Sequence, residues 1–319
     1  MLMTGERAGV EVFECRGCGT ALTAPLSRVA FPLYAGIPYG NGVAMPVLMA
    51  SGTYGLDEDP DGRARSIVIA PGDAHGTDLV QRREPGACCG IDGRYGPNVT
   101  CAGCGRKVAT RVDACSVWQA TWLVPAAVRP VPAGPDRPVE DWATITQWWC
   151  ATAPLGADGR WDIRWEMEVS AALAHLVHAA QGAPVTFAST PLAEAFRALL
   201  DRHAPPAVGP ARHAALAGPG LPLSDPLPDI AVVPYHLRTG ERWPTPPGVA
   251  VVPLAVDFWT YLARHAERLL RPVTGGLPPG VERDDPLPPH PFRLDFEWGV
   301  YNRVLERLNA VPGQGAGGW

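Results

Sequence analysis

Two short cysteine turns carry most of the chemistry written into this chain. Cys15-Arg16-Gly17-Cys18-Gly19 and Cys101-Ala102-Gly103-Cys104-Gly105 repeat one pattern, with 82 residues between Cys18 and Cys101. A Cys-x-x-Cys turn brings two sulfurs to one ion while nearby backbone amides point at them, and glycine admits the unusual angles such a turn needs. Cys15, Cys18, Cys101 and Cys104 are therefore the expected ligands of one all-thiolate site, with Zn2+ as the expected ion and a rubredoxin-type iron as the runner-up. Four thiolates leave no open coordination position, so the ion is expected to organise structure and not to activate water.

A second closable set exists in Cys89, Cys101, Cys104 and Cys115, separated by 11, 2 and 10 residues. It leaves Cys15 and Cys18 without a use. Cys88 and Cys89 are poor candidates for a mutual disulfide, because neighbouring α-carbons on a trans peptide lie about 3.8 Å apart, below the usual range. Cys88 reads as a small apolar residue. Other candidate groups are weaker. His175 and His178 lie three apart on an expected helix with Glu166 and Glu168 upstream, but no third ligand and no His-Glu-x-x-His pattern accompanies them. The loop Asp73-Ala74-His75-Gly76-Thr77-Asp78 reads as turn chemistry, with aspartates bonding their own backbone. Neither a Gly-x-Ser-x-Gly elbow nor a glycine-rich phosphate loop occurs.

The elements that must hold the cysteine turns read as β. Val10 to Phe13 leads into the first, Thr20 to Ala30 leaves it, Ser66 to Ile69 is a short strand, and Val108 to Val112 follows the second. Each turn is thus flanked like one hairpin of a zinc ribbon, here split by a long insertion. The insertion includes a Gly-, Pro- and Tyr-rich loop, Phe31 to Gly55, with turn signals such as Tyr39-Gly40-Asn41-Gly42, and is expected to form a flexible flap. Its length is tolerable: 82 intervening residues in place of 11 add about 1.8 kcal/mol of closure entropy.

Proline-rich stretches at Pro125–Pro138, Pro205–Pro228 and Pro272–Pro291 lack the amide donors that regular structure needs. The first is the expected boundary. This gives a β module over residues 1–124, a linker over 125–138, a mixed α/β domain over 139–311 and a flexible tail over 312–319. The fold class is α+β: a split zinc-ribbon β module followed by a mixed α/β domain. In the second domain, Ile145 to Ala151 and Arg160 to Trp165 are expected to pair as a hairpin. A helix follows over Met167 to Gln181, then a strand over Pro184 to Ala188 and a helix capped by Thr190 with Pro191 in its first turn. Ile230 to Tyr235 and Val249 to Val256 are apolar runs. Asp257 is expected to cap a helix ending near Leu270, and Trp298 to Leu308 is the last helix. Trp142, Trp148, Trp149, Trp161 and Trp165 fall within 24 residues and are expected to pack in the core.

Composition narrows the partners. The net charge is −5, Lys107 is the only lysine, and apolar residues make up 46% of the chain. That balance argues against broad adhesion to nucleic acid or anionic lipid, which gains its free energy by releasing counterions from many phosphates. Arg82, Arg83, Arg94, Arg106, Lys107 and Arg111 nevertheless gather around the second turn, and Asp57, Glu58, Asp59 and Asp61 precede it. Without a signal-peptide pattern or an apolar window of bilayer length, the expected location is the cytoplasm, with no membrane partner. A reducing compartment leaves paired thiols for metal.

The stretch from Cys88-Cys89-Gly90-Ile91-Asp92-Gly93 through Gly96-Pro97-Asn98, Cys101 to Gly105, Val108 to Arg111 and Cys115 to Gln119 resembles a pattern from uncharacterised zinc-ribbon proteins of actinobacteria. The resemblance covers roughly residues 73–124. It implies zinc and a bacterial cytoplasm, and assigns no catalytic role. The leading functional expectation is a non-catalytic, zinc-stabilised adaptor that binds a protein partner. An enzyme with its pocket in the second domain, using Asp257, Glu168 or His175, is the alternative. A nucleic-acid-binding ribbon using the arginines near Arg106 is the third reading.

Overall fold

The computed structural model describes residues 9–37, 45–57, 66–80, 89–135, 138–147, 161–222, 224–265 and 296–310. The chain divides into two compact units, residues 1–139 and 140–319. Among the described residues no helix is long and apolar enough to cross a membrane.

Among its described residues the first unit has nine strands: β1 (Val10–Cys15), β2 (Ser27–Arg28), β3 (Thr53–Asp57), β4 (Ser66–Ile69), β5 (Thr77–Leu79), β6 (Val99–Cys101), β7 (Lys107–Val112), β8 (Ala120–Leu123) and β9 (Val128–Gly134). Seven form one sheet in the order β2-β3-β4-β8-β7-β6-β5, antiparallel except for β2 with β3, while β1 pairs antiparallel with β9. Phe13, Leu22, Leu26, Tyr54, Ile69 and Leu123 lie in one buried core, and the Phe13 and Tyr54 rings meet edge to face at 5.1 Å.

Strand β9 corrects the expected linker. Glu11 and Cys15 of β1 spend their amides on Leu26 and Thr20, so the polar groups of Val12 and Glu14 face β9, opposite Val131 and Arg129. Pro130 and Pro132 fall at the alternate positions, where the missing N–H would have pointed away from β1. Proline is tolerated on such an outer strand edge. Arg16 then anchors the strand's start, its amide donating to Ala127 O at 2.9 Å and its Nε to Val128 O at 2.6 Å.

The flap expected over Phe31 to Gly55 is also corrected where it is described. Tyr34, Ile37, Met45, Leu48 and Met49 are buried, Tyr34 packs on Trp118 at 5.2 Å, and the Leu48 amide donates to Gln119 O. Apolar side chains at those positions dock the loop on the sheet. Residues 38–44, with the Tyr39-Gly40-Asn41-Gly42 signal, lie outside the described residues, as do Glu58, Asp59 and Asp61.

The second unit contains α1 (Trp142–Ile145), α2 (Ile163–Ala180), β10 (Val185–Phe187), α3 (Thr190–His203), β11 (Arg212–Leu216), β12 (Ile230–Tyr235), β13 (Ala250–Ala255), α4 (Val256–Thr260) and α5 (Trp298–Ala310), with a π turn over Tyr261–His265 after α4. The four strands among its described residues form one parallel sheet in the order β10-β11-β12-β13. Helix α3 is the crossover between β10 and β11. The connections over 217–229 and 236–249 contain no helix among the described residues.

Four expectations change here. The expected strand Arg160 to Trp165 is not formed where it is described, from Trp161 on: Asp162 accepts the Arg164 amide at 2.8 Å and starts α2 at Ile163, so Trp165 belongs to the helical period. The partner half of that hairpin largely falls on 148–160, outside the described residues. Ser189 precedes α3 as the residue before its first turn, with Thr190 and Pro191 inside it and no side-chain cap bond. Asp257 lies within the first turn of α4 after Ala255, near the helix's positive end, where a carboxylate is favoured. Finally, β11 occupies the proline-free run inside the stretch Pro205–Pro228. The helix end near Leu270, the stretch Pro272–Pro291 and residues 312–319 are not described. Of the tryptophans, Trp165 is buried against Phe258 and Tyr261, Trp142 is half-buried beside His236 and Trp243, and Trp148 and Trp149 lie outside the described residues.

Candidate metal centre

Each cysteine turn sits at the tip of a hairpin, and the two tips close by the same backbone bonds. In the first, the Cys15 amide donates to Thr20 O and the Gly19 amide to Cys15 O; in the second, the Cys101 amide donates to Arg106 O and the Gly105 amide to Cys101 O. Gly19 and Gly105 end the turns at φ +76° and +71°, the left-handed region that suits glycine. The middle glycines make room for the opposite turn. A β-carbon on Gly103 would lie 2.3 Å from Thr20 Oγ1, and one on Gly17 would lie 3.5 Å from both Cys104 Sγ and Arg106 Nε.

This mutual docking gathers the sulfurs. Cys15 Sγ is 3.6 Å from Cys104 Sγ and Cys18 Sγ is 3.5 Å from Cys101 Sγ, and all four lie within 4.8 Å of one another. Metal–sulfur bonds of about 2.3 Å in a tetrahedron set sulfur–sulfur edges of about 3.8 Å, whereas a disulfide would need about 2.05 Å. The residues present fit a tetrahedral metal ion. Cys15 and Cys101 are buried, and Cys18 and Cys104 are exposed.

Hydrogen bonding prepares the thiolates unequally. The Thr20 hydroxyl lies 3.2 Å from Cys18 Sγ; with the Thr20 amide and the Cys101 thiol it draws the Cys18 thiol down to about 6. At Cys104 the Arg106 amide pulls the same way, but the neighbouring Cys18 and Cys15 thiols outweigh it and push that thiol up to about 11. Without a cation the cluster therefore offers one ready thiolate, at Cys18, beside a Cys104 thiol that holds its proton.

A third segment braces the two hairpins, and its role was hidden in the sequence. The loop Asp73 to Asp78 runs between them: the His75 amide donates to Leu22 O of the first hairpin, while Gly76 O accepts the Ala102 amide of the second. Gly76 has φ +54°, and a β-carbon there would lie 2.4 Å from Ala21 O. Buried Asp73 accepts the Ser51 hydroxyl at 2.7 Å and the Gly52 amide at 2.8 Å. Its fixed partners make this loop a structural brace.

Cys89 and Cys115 lie on another turn. Ile91 and Asp113 exchange both backbone bonds, and the Cys115 amide donates to Cys89 Sγ at 3.0 Å. Among the described residues, Cys15, Cys18, Cys101 and Cys104 form the one cluster suited to a metal. Cys88 and Cys150 lie outside them. Several basic residues near the second turn have acidic partners: Arg94 with Asp92, Arg111 with Asp113, and Arg129 with Glu14. Arg82 and Arg83 are not described.

In the second unit, Glu168 is brought to Tyr235, whose hydroxyl donates to Glu168 Oε1 at 2.5 Å. Burial pushes its carboxyl up to about 7, against the pull of Tyr235 and the Ala255 amide, and the charge of nearby Asp257 adds to the rise. His175, buried two turns along α2, is driven down to about 3 by burial, with Arg242 and His178 contributing. His178 faces out and meets Asn309 Oδ1 at 3.1 Å, so the two histidines do not share one site.

Comparison with protein-family models gives no match for the chain, and comparison with curated proteins gives none either.

Proposed function

We propose that Cys15, Cys18, Cys101 and Cys104 hold one structural zinc ion and that the first unit is a split zinc ribbon serving a non-catalytic, protein-binding role. The observation that carries the reading is the pair of matching hairpin tips, which set four sulfurs at tetrahedral spacing. Zinc fits a site of four thiolates with no redox demand, and a filled shell leaves no position for a substrate or water. Iron is the competing ion, and a colourless purified protein excludes it. The resemblance to actinobacterial zinc-ribbon proteins and the cytoplasmic location stay part of this proposal.

With the loop after Phe31 packed down, the contact surface is assigned to the outer edge of the seven-stranded sheet. Among the described residues strand β5 is its last strand, Val80 after it is exposed, and Tyr95, in the segment before β6, is 61% exposed. An open strand edge and an exposed aromatic side chain are each common features of protein-recognition surfaces. The test compares affinity capture by the wild-type protein and by Tyr95→Glu with unchanged zinc content. A discrete partner recovered with the wild type and lost with the variant supports the role; the same captured set with both, or none with either, refutes it.

A further inference from the structure

The second unit solves its parallel sheet in an unusual way. Parallel strands need long crossovers, and a helix usually supplies them and covers the sheet face. Here β10 and β11 use α3, but β11–β12 and β12–β13 are joined by extended segments rich in proline: Pro219, Pro222, Pro226 and Pro228 in the first, and Pro244, Pro246 and Pro247 in the second. Between these two crossovers lies a cavity of about 340 Å³.

Its construction keeps it open. The lining includes Ala217 and Ala231, which extend one methyl each where a larger side chain would take up space. Gly218 presses the first crossover onto Trp259, since a β-carbon there would lie 2.2 Å from the indole. The walls include Pro222, Pro228, Pro244 and Pro246, with Trp243 beside them. Proline fixes φ, so such walls are preformed and lose little freedom when a ligand enters. Among the described residues no charged side chain lines the space, and Ser224 and Thr245 are its hydroxyl-bearing lining residues.

We propose that this cavity binds a neutral, flat, mostly apolar small molecule of two or three fused rings, seated against Trp243 between the proline walls. Its size is what sets the class. A cavity of about 150 Å³ accommodates benzene, ligand pockets start near 300 Å³, and this one is roughly twice the benzene case. Its lining excludes an anion or cation, because neither would find a countercharge to replace water. The two hydroxyls admit one or two polar atoms on the ligand.

The test uses the full-length, metal-loaded protein and the neutral fluorophore N-phenyl-1-naphthylamine. Saturable binding of one probe per chain, with energy transfer from tryptophan, is expected. Ala231→Leu, which adds bulk to the buried side of the lining, should weaken binding at least tenfold in the folded variant. Should that variant fail to fold, Thr245→Leu fills the cavity from the crossover side and should have the same effect. Binding that does not saturate, or equal binding by a folded filled variant, overturns the proposal. So does displacement of the probe by a proline-rich peptide but not by naphthalene or indole, which would make the space a peptide groove.

Discussion

The two units reach a fixed structure by different routes. The first depends on very short strands, with two residues in β2 and three in each of β5 and β6, and its hairpin tips meet through sulfur. In the second, α2 buries most of its residues against a parallel sheet, and two of the polar groups it buries, Glu168 and His175, are handled one at a time by hydrogen bonding and neutralisation. Hairpin tips on such short strands have little apolar area of their own to offset chain entropy, and the proposed metal ion would cross-link them. The lesson is that removing one ion should separate the units' stabilities.

The largest expected effect follows. Cys18→Ser, or a strong chelator, should unfold the first unit and leave the second folded, as read by hydrogen exchange resolved along the chain. Structural zinc binding of about 10–16 kcal/mol matches or exceeds a usual domain stability of about 5–15 kcal/mol. Equal loss of protection in both units, or in neither, breaks the comparison.

Next in size, Gly76→Ala should destabilise the first unit by about 2–4 kcal/mol, through a left-handed backbone and a clash with the Ala21 carbonyl. Gly72→Ala is the control: a β-carbon there meets nothing within 4 Å, and its urea midpoint should stay close to the wild type's. Similar losses for both would remove the brace from the account.

A comparable effect, dependent on pH, is expected in the second unit. Glu168 binds its proton more tightly when folded, at about 7 against the 4.5 of the free carboxyl group. Its contribution is fully present below about 4.5 and is lost as pH rises through 7, about 3 kcal/mol in all. His175 has the opposite sign. Its folded value, near 3, lies below the 6.5 of the free group, so stability is present above 6.5 and declines as pH falls below it. The two slopes oppose each other between about pH 4.5 and 6.5. Urea titrations of the second unit should therefore be nearly flat there in the wild type, while Glu168→Gln should show stability falling steadily on acidification. A flat profile in that variant would contradict the assignment.

The smallest effect concerns the surface. Arg129 pairs with Glu14 at 2.7 Å, but its side chain is 55% exposed, and Arg129→Ala should cost no more than about 1 kcal/mol. A larger loss in melting experiments would show that the β1–β9 pair carries more of the first unit than its sulfur tips do.

Legibility of these features in the sequence followed how local their causes are. The cysteine turns were readable because spacing and glycine position are local requirements, and the run Ile230 to Tyr235 was readable because a parallel strand buried on both faces is continuously apolar. Strand β9 was obscured by Pro130 and Pro132, whose tolerance depends on which edge of the strand they face, a property of the partner. Trp161, Ile163 and Trp165 alternate like a strand, and the Asp162 cap that turns them into a helix looks the same in either state. The Gly76 brace left no signal, since its reason is a carbonyl at Ala21, far away in the chain.

X-ray absorption at the zinc edge of the purified full-length protein, combined with metal analysis, tests the central claim most directly. One zinc per chain surrounded by four sulfur atoms at about 2.3 Å is the expected result. A shell with nitrogen or oxygen in place of sulfur, or a folded first unit without stoichiometric metal, would contradict it.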